Sequence, residues 1–200
     1  NGQGRARRVG FGTPWAPQRT GVADFSTTTT IELARLCDVT VYATSDADVA
    51  GTTPEGVRIT PARIDDVIAR GSDDDVFVSV VGNSHFHLPF IEATERHDAV
   101  VVSHDTRLVE LYMALRGRGG VEQVMLRGTG RRALRPPLDD QIDDMRLLEN
   151  AGFWEVARRA RMLILHTPSA AGRIADETGV TPRLLPFANQ RAPHGAVTEQ

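Results

Sequence analysis

The chain has 200 residues, 40% of them hydrophobic, and a formal net charge of −3. This length predicts one sizeable domain, and the acidic balance argues against a nucleic-acid-binding protein. No apolar run approaches the roughly 20 residues that a membrane-spanning helix needs, so we expect a cytoplasmic protein. All 23 basic residues are arginine, which excludes sites built on a lysine. The single cysteine, Cys37, cannot form an internal disulfide and is assigned no function.

Short apolar, β-branched runs alternate with helical patterns, which is typical of βαβ units and a parallel sheet. The predicted strands span 8–12, 38–44, 57–59, 75–81, 99–103, 162–166 and 183–186. The predicted helices span about 22–36, 61–70, 88–96, 106–116, 140–150, 153–160 and 168–178. Strands buried on both faces appear as continuous apolar runs, as these do. The expected fold is α/β: one Rossmann-like domain over 8–186, with a doubly wound, mainly parallel sheet of about seven strands.

Two segments interrupt this alternation. Residues 116–137 hold six arginines against one glutamate, and their glycines and proline pair predict a mobile excursion over the surface. Two interpretations stay open: a solvated loop neutralised by the acidic run 139–144, or a surface for an anionic substrate or a membrane. Residues 187–200 show no periodicity and are expected to be a tail or the start of a linker.

Polar or glycine-rich segments follow four predicted strands at the point where each strand ends. In an open parallel sheet, ligands bind in the crevice at the carboxyl ends of the strands. The four segments are "GFGTPWAPQRTGVADFS" (10–26), "GNSHFH" (82–87), "SHD" (103–105) and "HTPS" (166–169). The sequence therefore predicts a site at this edge of the sheet.

The first of these segments allows two anion-binding interpretations. Gly10 and Gly12 begin a pattern like the dinucleotide fingerprint G-x-G-x-x-G, but Trp15 stands at the third glycine position. An indole there would prevent close packing of helix on strand, which disfavours a nicotinamide or flavin site. Thr20 and Gly21 precede a predicted helix, whose free N–H groups either face an anion or form an ordinary helix start.

The histidines of the second segment have three interpretations. In an extended segment, His85 and His87 would face the same way and could hold a metal ion with His104 or Asp105. Pro89 instead suits the first turn of a helix beginning near 88, which takes the segment out of extended geometry. A hydrogen-bonding rim and a locally satisfied turn are the other interpretations.

The last two segments place a histidine directly after a strand. Asp105 is expected to cap the next helix, and His104 at the floor of a cleft could donate to a hydroxyl near neutral pH. His166 and the three residues after it are expected to form a strand exit, a helix cap and a first helical turn. His97 and His194 are expected to be incidental.

Motifs in this order resemble a known family. The run "TPWAPQRTGVADFSTTTTIELARLCDVTVY" resembles the opening of the amino-terminal domain of family 4 retaining glycosyltransferases, which commonly show P-x(n)-[ST]-G-[IV]-A-x-[YF] before a helix and a "DV-x-V" strand. The run "VVGNSHFHLPFIEATERHDAVVVSHD" resembles that family's glycine-asparagine segment ending in histidine, followed by "VVLHD". The likeness spans most of 8–186.

The resemblance implies a GT-B enzyme with two facing Rossmann-like domains, the first holding mainly the acceptor and the second mainly the nucleotide-sugar. It implies transfer of a sugar from a nucleotide diphosphate to a hydroxyl acceptor with retained anomeric configuration, without a metal or cofactor. Thr20 and Gly21 would lie by the donor diphosphate, and His104 would be the catalytic residue near the reacting sugar. The residues implied on the acceptor side are Asn83, His85, His87, Asp105 and His166.

The chain also departs from the family pattern. Ser103 stands where leucine is usual, and His85 stands where proline or a small residue is frequent. The second domain has no counterpart, so we expect one half of a GT-B fold that turns over nothing alone, because catalysis needs both walls of the cleft. Two other classes stay open: a metal-dependent hydrolase using His85, His87 and His104, and a non-catalytic ligand-binding α/β module.

Overall fold

The computed structural model describes residues 7–126 and 149–187, and the contacts reported below belong to those residues. Several sequence predictions lie outside them. These are most of the predicted helix 140–150, the acidic run 139–144, the arginine-rich segment beyond 126, His194 and the tail from 188.

Seven strands of the described residues form one parallel sheet. In chain order they are β1 (Arg8–Gly12), β2 (Asp38–Ala43), β3 (Ile59–Arg63), β4 (Val76–Val81), β5 (Val100–Ser103), β6 (Met162–Leu165) and β7 (Arg183–Leu184). Their order across the sheet is β3-β2-β1-β4-β5-β6-β7, so the chain reverses its direction of winding between β1 and β4. This is the doubly wound, Rossmann-like arrangement, and the predicted fold class is confirmed.

Helices connect these strands. The described ones are α1 (Gly21–Leu33), α2 (Asp46–Thr52), α3 (Ile64–Arg70), α4 (Leu88–Arg96), α5 (Val109–Leu126), α6 (Trp154–Arg159) and α7 (Pro168–Thr178), with a 3₁₀ turn at His85–His87 before α4. The bounds predicted for α4 and α7 are confirmed. Among the described residues, no helix combines the length and the apolar character needed to cross a membrane.

The sheet is buried on both faces because its strands are apolar at successive positions. In β4, Phe77 and Val81 belong to the larger hydrophobic cluster, whereas Val78 and Val80 pack in the smaller one. Alternate residues of a strand point to opposite faces, so the two clusters lie on opposite sides of the sheet. The fold thereby leaves its connections at the strand ends free to form a site.

The third strand and the helix after it begin later than predicted. The sequence indicated a strand at 57–59 and a helix from 61, but β3 runs from Ile59 to Arg63 and α3 begins at Ile64. Pro61, the first residue of the predicted helix, lies in the strand opposite Val41. Proline lacks the amide that a central strand needs, and β3 tolerates it because it is the edge strand.

Two helices also differ from the prediction. The short helix α2 was not predicted, since only Val49 in it is buried and no periodicity marks it. Helix α5 was predicted at 106–116 but begins at Val109 and reaches Leu126, with a kink at Gly117, where φ is +66°. Gly117 has non-helical backbone angles, so α5 consists of two helical stretches separated by this kink, and its positive φ suits glycine. Residues 118–126, predicted as part of an excursion over the surface, are helical.

Candidate functional site

The predicted site residues lie at the carboxyl edge of the sheet, in the connections that leave β1, β4, β5 and β6. They are Thr20, Gly21, Asn83, His85, His87, His104, Asp105 and His166. Because β1 and β4 are neighbours where the winding reverses, their connections diverge at the place where doubly wound sheets commonly bind ligands.

The two glycines of β1 make room for the protein's own side chains. A Cβ atom on Gly12 would lie 2.9 Å from the Phe77 ring, and one on Gly10 would lie 2.5 Å from the Asp74 carboxylate. Trp15 is 2% exposed, and its indole nitrogen donates to the Thr52 hydroxyl at 2.6 Å. These contacts explain the glycines by packing and agree with the weak support for a dinucleotide site.

Thr20 and Gly21 form the accessible start of α1. The Thr20 hydroxyl accepts from the Ala23 amide at 3.0 Å, and a Cβ on the exposed Gly21 would meet nothing within 4 Å. Below this turn, the buried hydroxyls of Thr13 and Ser26 lie 2.6 Å apart and join the loop to the helix. The positive end of the α1 dipole therefore opens onto free space at the carboxyl edge.

Asn83 joins the connections that leave β4 and β5. Its backbone amide donates to the Asp105 carboxylate at 2.5 Å. Its side-chain oxygen accepts from the Leu111 amide at 3.1 Å, and its side-chain amide donates to Glu110. Asn83 thus caps α5 from a neighbouring segment, and these contacts occupy its side chain within the protein.

The prediction that Asp105 caps the next helix is wrong. Helix α5 begins at Val109, four residues beyond Asp105, and Asp105 holds the backbone of Asn83 instead. The Ser103 hydroxyl donates to the Asp105 carbonyl at 3.0 Å, which fixes the turn between β5 and α5. Asp105 is exposed at this edge, and its carboxylate accepts from the Asn83 amide.

His87 is buried next to Asp105. It is 2% exposed, and its Nδ1 lies 3.2 Å from the Val80 carbonyl oxygen, which makes Nδ1 the protonated nitrogen. A Cβ on Gly82 would lie 2.6 Å from His87 Nε2 and 2.8 Å from the Asp105 carboxylate, so both groups pack against this glycine. Burial lowers the pKa of the His87 imidazole.

His85 and His87 differ in burial, because the 3₁₀ turn takes this segment out of extended geometry. His85 is exposed and packs on Phe86, with ring centroids 4.1 Å apart, whereas His87 lies inside. Across residues 7–126 and 149–187, no three His, Cys, Asp or Glu side chains are placed to hold a metal ion. The trio of His85, His87 and His104 is therefore not assembled as a metal site here.

His104 and His166 form a stacked pair at the exits of β5 and β6. Their ring centroids are 4.8 Å apart and their planes are inclined by 25°. Phe25, one turn into α1, approaches His104 edge-on at 4.4 Å. The exits of β5 and β6 and the first turn of α1 therefore meet here.

The chemistry of this pair follows from its burial. The Nε2 atoms of both rings are buried and have no hydrogen-bond partner among the described residues, while His166 Nδ1 lies 2.7 Å from the Leu185 carbonyl. Burial, and secondarily the neighbouring His166, lower the pKa of His104 to about 4. The His104 imidazole is thus neutral at pH 7 and can donate to, or accept from, a hydroxyl group.

Phe187 completes this cluster and was not anticipated from the sequence. Its ring stacks on His166 at 3.9 Å and on His104 at 5.5 Å, and it approaches Phe25 at 5.5 Å. Phe187 belongs to the segment predicted as a tail, where no pattern indicated a contact. Phe25 had a signal, since it fills the aromatic position of the A-x-[YF] motif.

Two cavities lie away from this cluster. A cleft of about 290 Å³ lies at the opposite, amino edge of the sheet, between Asp74 and His97. A groove of about 450 Å³ runs between α3 and α4, beside Leu88 and Leu115. Neither is lined by a predicted site residue, so the candidate site rests on its chemistry and its place in the fold.

Comparison of the chain with protein-family models, with curated proteins and with solved structures gives no match. The family resemblance therefore depends on the motifs in the sequence.

Proposed function

We propose that this chain is the acceptor-binding, amino-terminal half of a retaining GT-B glycosyltransferase. The observation that carries the proposal is the neutral His104, whose Nε2 has no partner among the described residues and lies beside the first turn of α1. A sugar-transfer site needs a hydroxyl partner and an anion partner close together. His104 and the start of α1 offer these two chemistries at one edge of the sheet.

In this proposal His104 hydrogen-bonds the transferred sugar or assists the acceptor hydroxyl. A neutral imidazole suits this role because it both donates and accepts, and because it does not repel a developing positive charge on the sugar. The Gly21 amide and the N-terminal end of α1 offset the negative charge that develops on the leaving diphosphate, whereas the Thr20 amide already donates to the Gln18 carbonyl at 3.0 Å. Asp105, His85, His87 and His166 contribute to the acceptor side, and Asn83 acts through the backbone that it positions.

The remaining parts of the proposal concern what lies around this chain. A second domain supplies the nucleotide-sugar site, and the chain alone turns over nothing, since transfer requires groups from both walls of the cleft. The reaction takes place in the cytoplasm without a resident metal. The arginine-rich segment, of which Arg116 and Arg118 are described, provides peripheral contact with an anionic membrane surface.

The test is sugar transfer by the full-length protein that contains this chain, with the anomeric proton of the product followed by NMR. We expect a product of retained configuration and a loss of about 100-fold in kcat for His104→Ala, as for removal of a positioned acid–base group. His97→Ala is the matched control, because His97 lies at the amino edge and bonds the Ile68 carbonyl. It should leave kcat unchanged.

Four outcomes would contradict the proposal. Wild-type kcat in His104→Ala would remove the catalytic assignment, and an inverted product would remove the family assignment. Transfer or hydrolysis that depends on stoichiometric zinc or manganese, measured by elemental analysis, would favour the metal-dependent hydrolase. Ligand binding without turnover by the full-length protein would favour the non-catalytic module.

A further inference from the structure

In the aromatic cluster at the carboxyl edge, a phenylalanine ring lies against two histidine rings. Phe187 stacks on His166 with centroids 3.9 Å apart and planes inclined by 25°, and on His104 at 5.5 Å and 20°. Although Phe187 is itself 49% exposed, the Nε2 atoms of both histidines are buried. A ligand that reaches either nitrogen must therefore displace something, and Phe187 is the half-exposed member of the cluster.

The backbone is anchored at Leu185, two residues before Phe187, and the Phe187 ring itself is held by ring contacts. The Leu185 amide donates to the Leu165 carbonyl at 2.9 Å, and the Leu185 carbonyl lies 2.7 Å from His166 Nδ1. Strand β7 ends at Leu184, so Phe187 lies three residues beyond the sheet pairing. The ring contacts favour the stacked position of Phe187 over a displaced one by roughly a factor of ten. Thermal motion of a chain segment outside the sheet readily overcomes a preference of this size.

We propose that Phe187 occupies a ligand subsite formed by the faces of His104 and His166 and the edge of Phe25, and that a ligand binds there by taking the place of its ring. The chemistry of the subsite selects a ligand with a flat apolar face and a polar group. The face stacks on the imidazole rings, and the polar group reaches an Nε2 atom that has no partner among the described residues. This inference does not require sugar transfer, because it concerns access to the histidine pair.

The test is the rate at which diethyl pyrocarbonate acylates each histidine of the chain, followed by mass spectrometry of the peptides. The reagent attacks neutral imidazole nitrogen, so it reports access to Nε2. In Phe187→Ala we expect the rates at His104 and His166 to rise about tenfold, equivalent to about 1.4 kcal/mol. The exposed His85 serves as the internal reference, and its rate should not change.

Two further variants separate loss of the ring from a general loosening of the fold. Leu184→Ala removes an equally exposed apolar side chain from β7, also 49% exposed, and should leave the rates at His104 and His166 unchanged. Phe187→Trp keeps a flat ring over the histidines and should keep both rates low. Unchanged rates in Phe187→Ala, or equal rises in Phe187→Ala and Leu184→Ala, would overturn the proposal.

Discussion

Polar side chains gather at both edges of the sheet, and the two groups differ in how the protein satisfies them. At the amino edge, the Asp74 carboxylate accepts from Ser72 at 2.6 Å, from Tyr42 at 2.9 Å and from Thr40 at 3.2 Å. At the carboxyl edge, the Nε2 atoms of His104 and His166 are buried without a partner among the described residues.

This difference indicates that the Asp74 group is structural and the histidine pair is open to chemistry; Arg8 Nε at the amino edge is also buried without a partner among the described residues. A buried polar group without a partner costs roughly 1–3 kcal/mol, so a fold retains one where something else supplies the partner. The three hydroxyl groups satisfy the Asp74 carboxylate, so this polar group beside the cleft needs no ligand as a partner. The histidine pair has no such partners for its Nε2 atoms among the described residues, and it lies at the edge where doubly wound sheets bind ligands.

The largest expected effect on stability comes from adding a methyl group at Gly82, against which His87 and Asp105 pack. We expect Gly82→Ala to lower the free energy of unfolding by about 3 kcal/mol, because its Cβ would lie 2.6 Å from a ring that Val80 and burial hold in place. Gly21→Ala is the control, since a Cβ there meets nothing within 4 Å. Urea unfolding measures both, and equal stabilities would show that the packing at Gly82 is looser than described.

The next effect tests the amino edge. Asp74→Ala removes the carboxylate that accepts from three hydroxyl groups. Because these donors lose their acceptor, the free energy of unfolding should fall by about 2 kcal/mol. The exposed neighbour Asp73 provides the control variant Asp73→Ala. Acylation of His104 should stay at the wild-type rate in both variants. A faster rate in Asp74→Ala would mean that the two edges are coupled rather than separate.

A smaller effect is the pH dependence of stability that His104 at the carboxyl edge contributes. The pKa of His104 is lowered to about 4 in the folded chain, and an unfolded histidine titrates near 6.5, so the unfolded state binds more protons between these values. Stability should therefore rise from pH 4 to 6.5, by about 1.5 kcal/mol from this group once solvent screening is allowed for. His104→Phe should flatten the pH profile without abolishing it, because burial also lowers the pKa of His87.

The smallest expected effect concerns the cap that Asn83 provides. Asn83→Ala removes the acceptor for the Leu111 amide and should cost about 1 kcal/mol, as other side-chain caps do. Ser84→Ala, at the next position, is the control, and thermal unfolding distinguishes the two. If Asn83→Ala leaves the thermal stability unchanged, the cap contributes nothing, and the Asn83 side chain is free to contact a ligand.

The sheet could be predicted because burial on both faces leaves a direct signal in the sequence. Strands such as "VFVSVV" are apolar at successive positions, and the helices between them are long enough to show periodicity. β3 and α2 were harder, since Pro61 is tolerated only because its strand lies at the edge and α2 buries a single side chain. Both facts depend on tertiary position.

The site could be predicted in outline for the same reason. Strand exits locate polar residues at one edge, so the sequence brought His104, His166 and Asp105 together, but it could not say which are already occupied. The contact of Asn83 with Leu111 spans 28 positions, and that of Phe187 with His104 spans more. Local patterns carry no information on such pairs, and so the cap of α5 and the cover over the histidines appear only in the folded chain.

The central claim is that the carboxyl edge holds a neutral His104 stacked on His166, with both Nε2 atoms buried and without a partner among the described residues. NMR titration of the histidine side chains of this chain tests it most directly. The account predicts that His104 titrates near pH 4, well below an unperturbed histidine near 6.5. If His104 titrates near 6.5, its ring is solvated, and this edge differs in no way from ordinary protein surface.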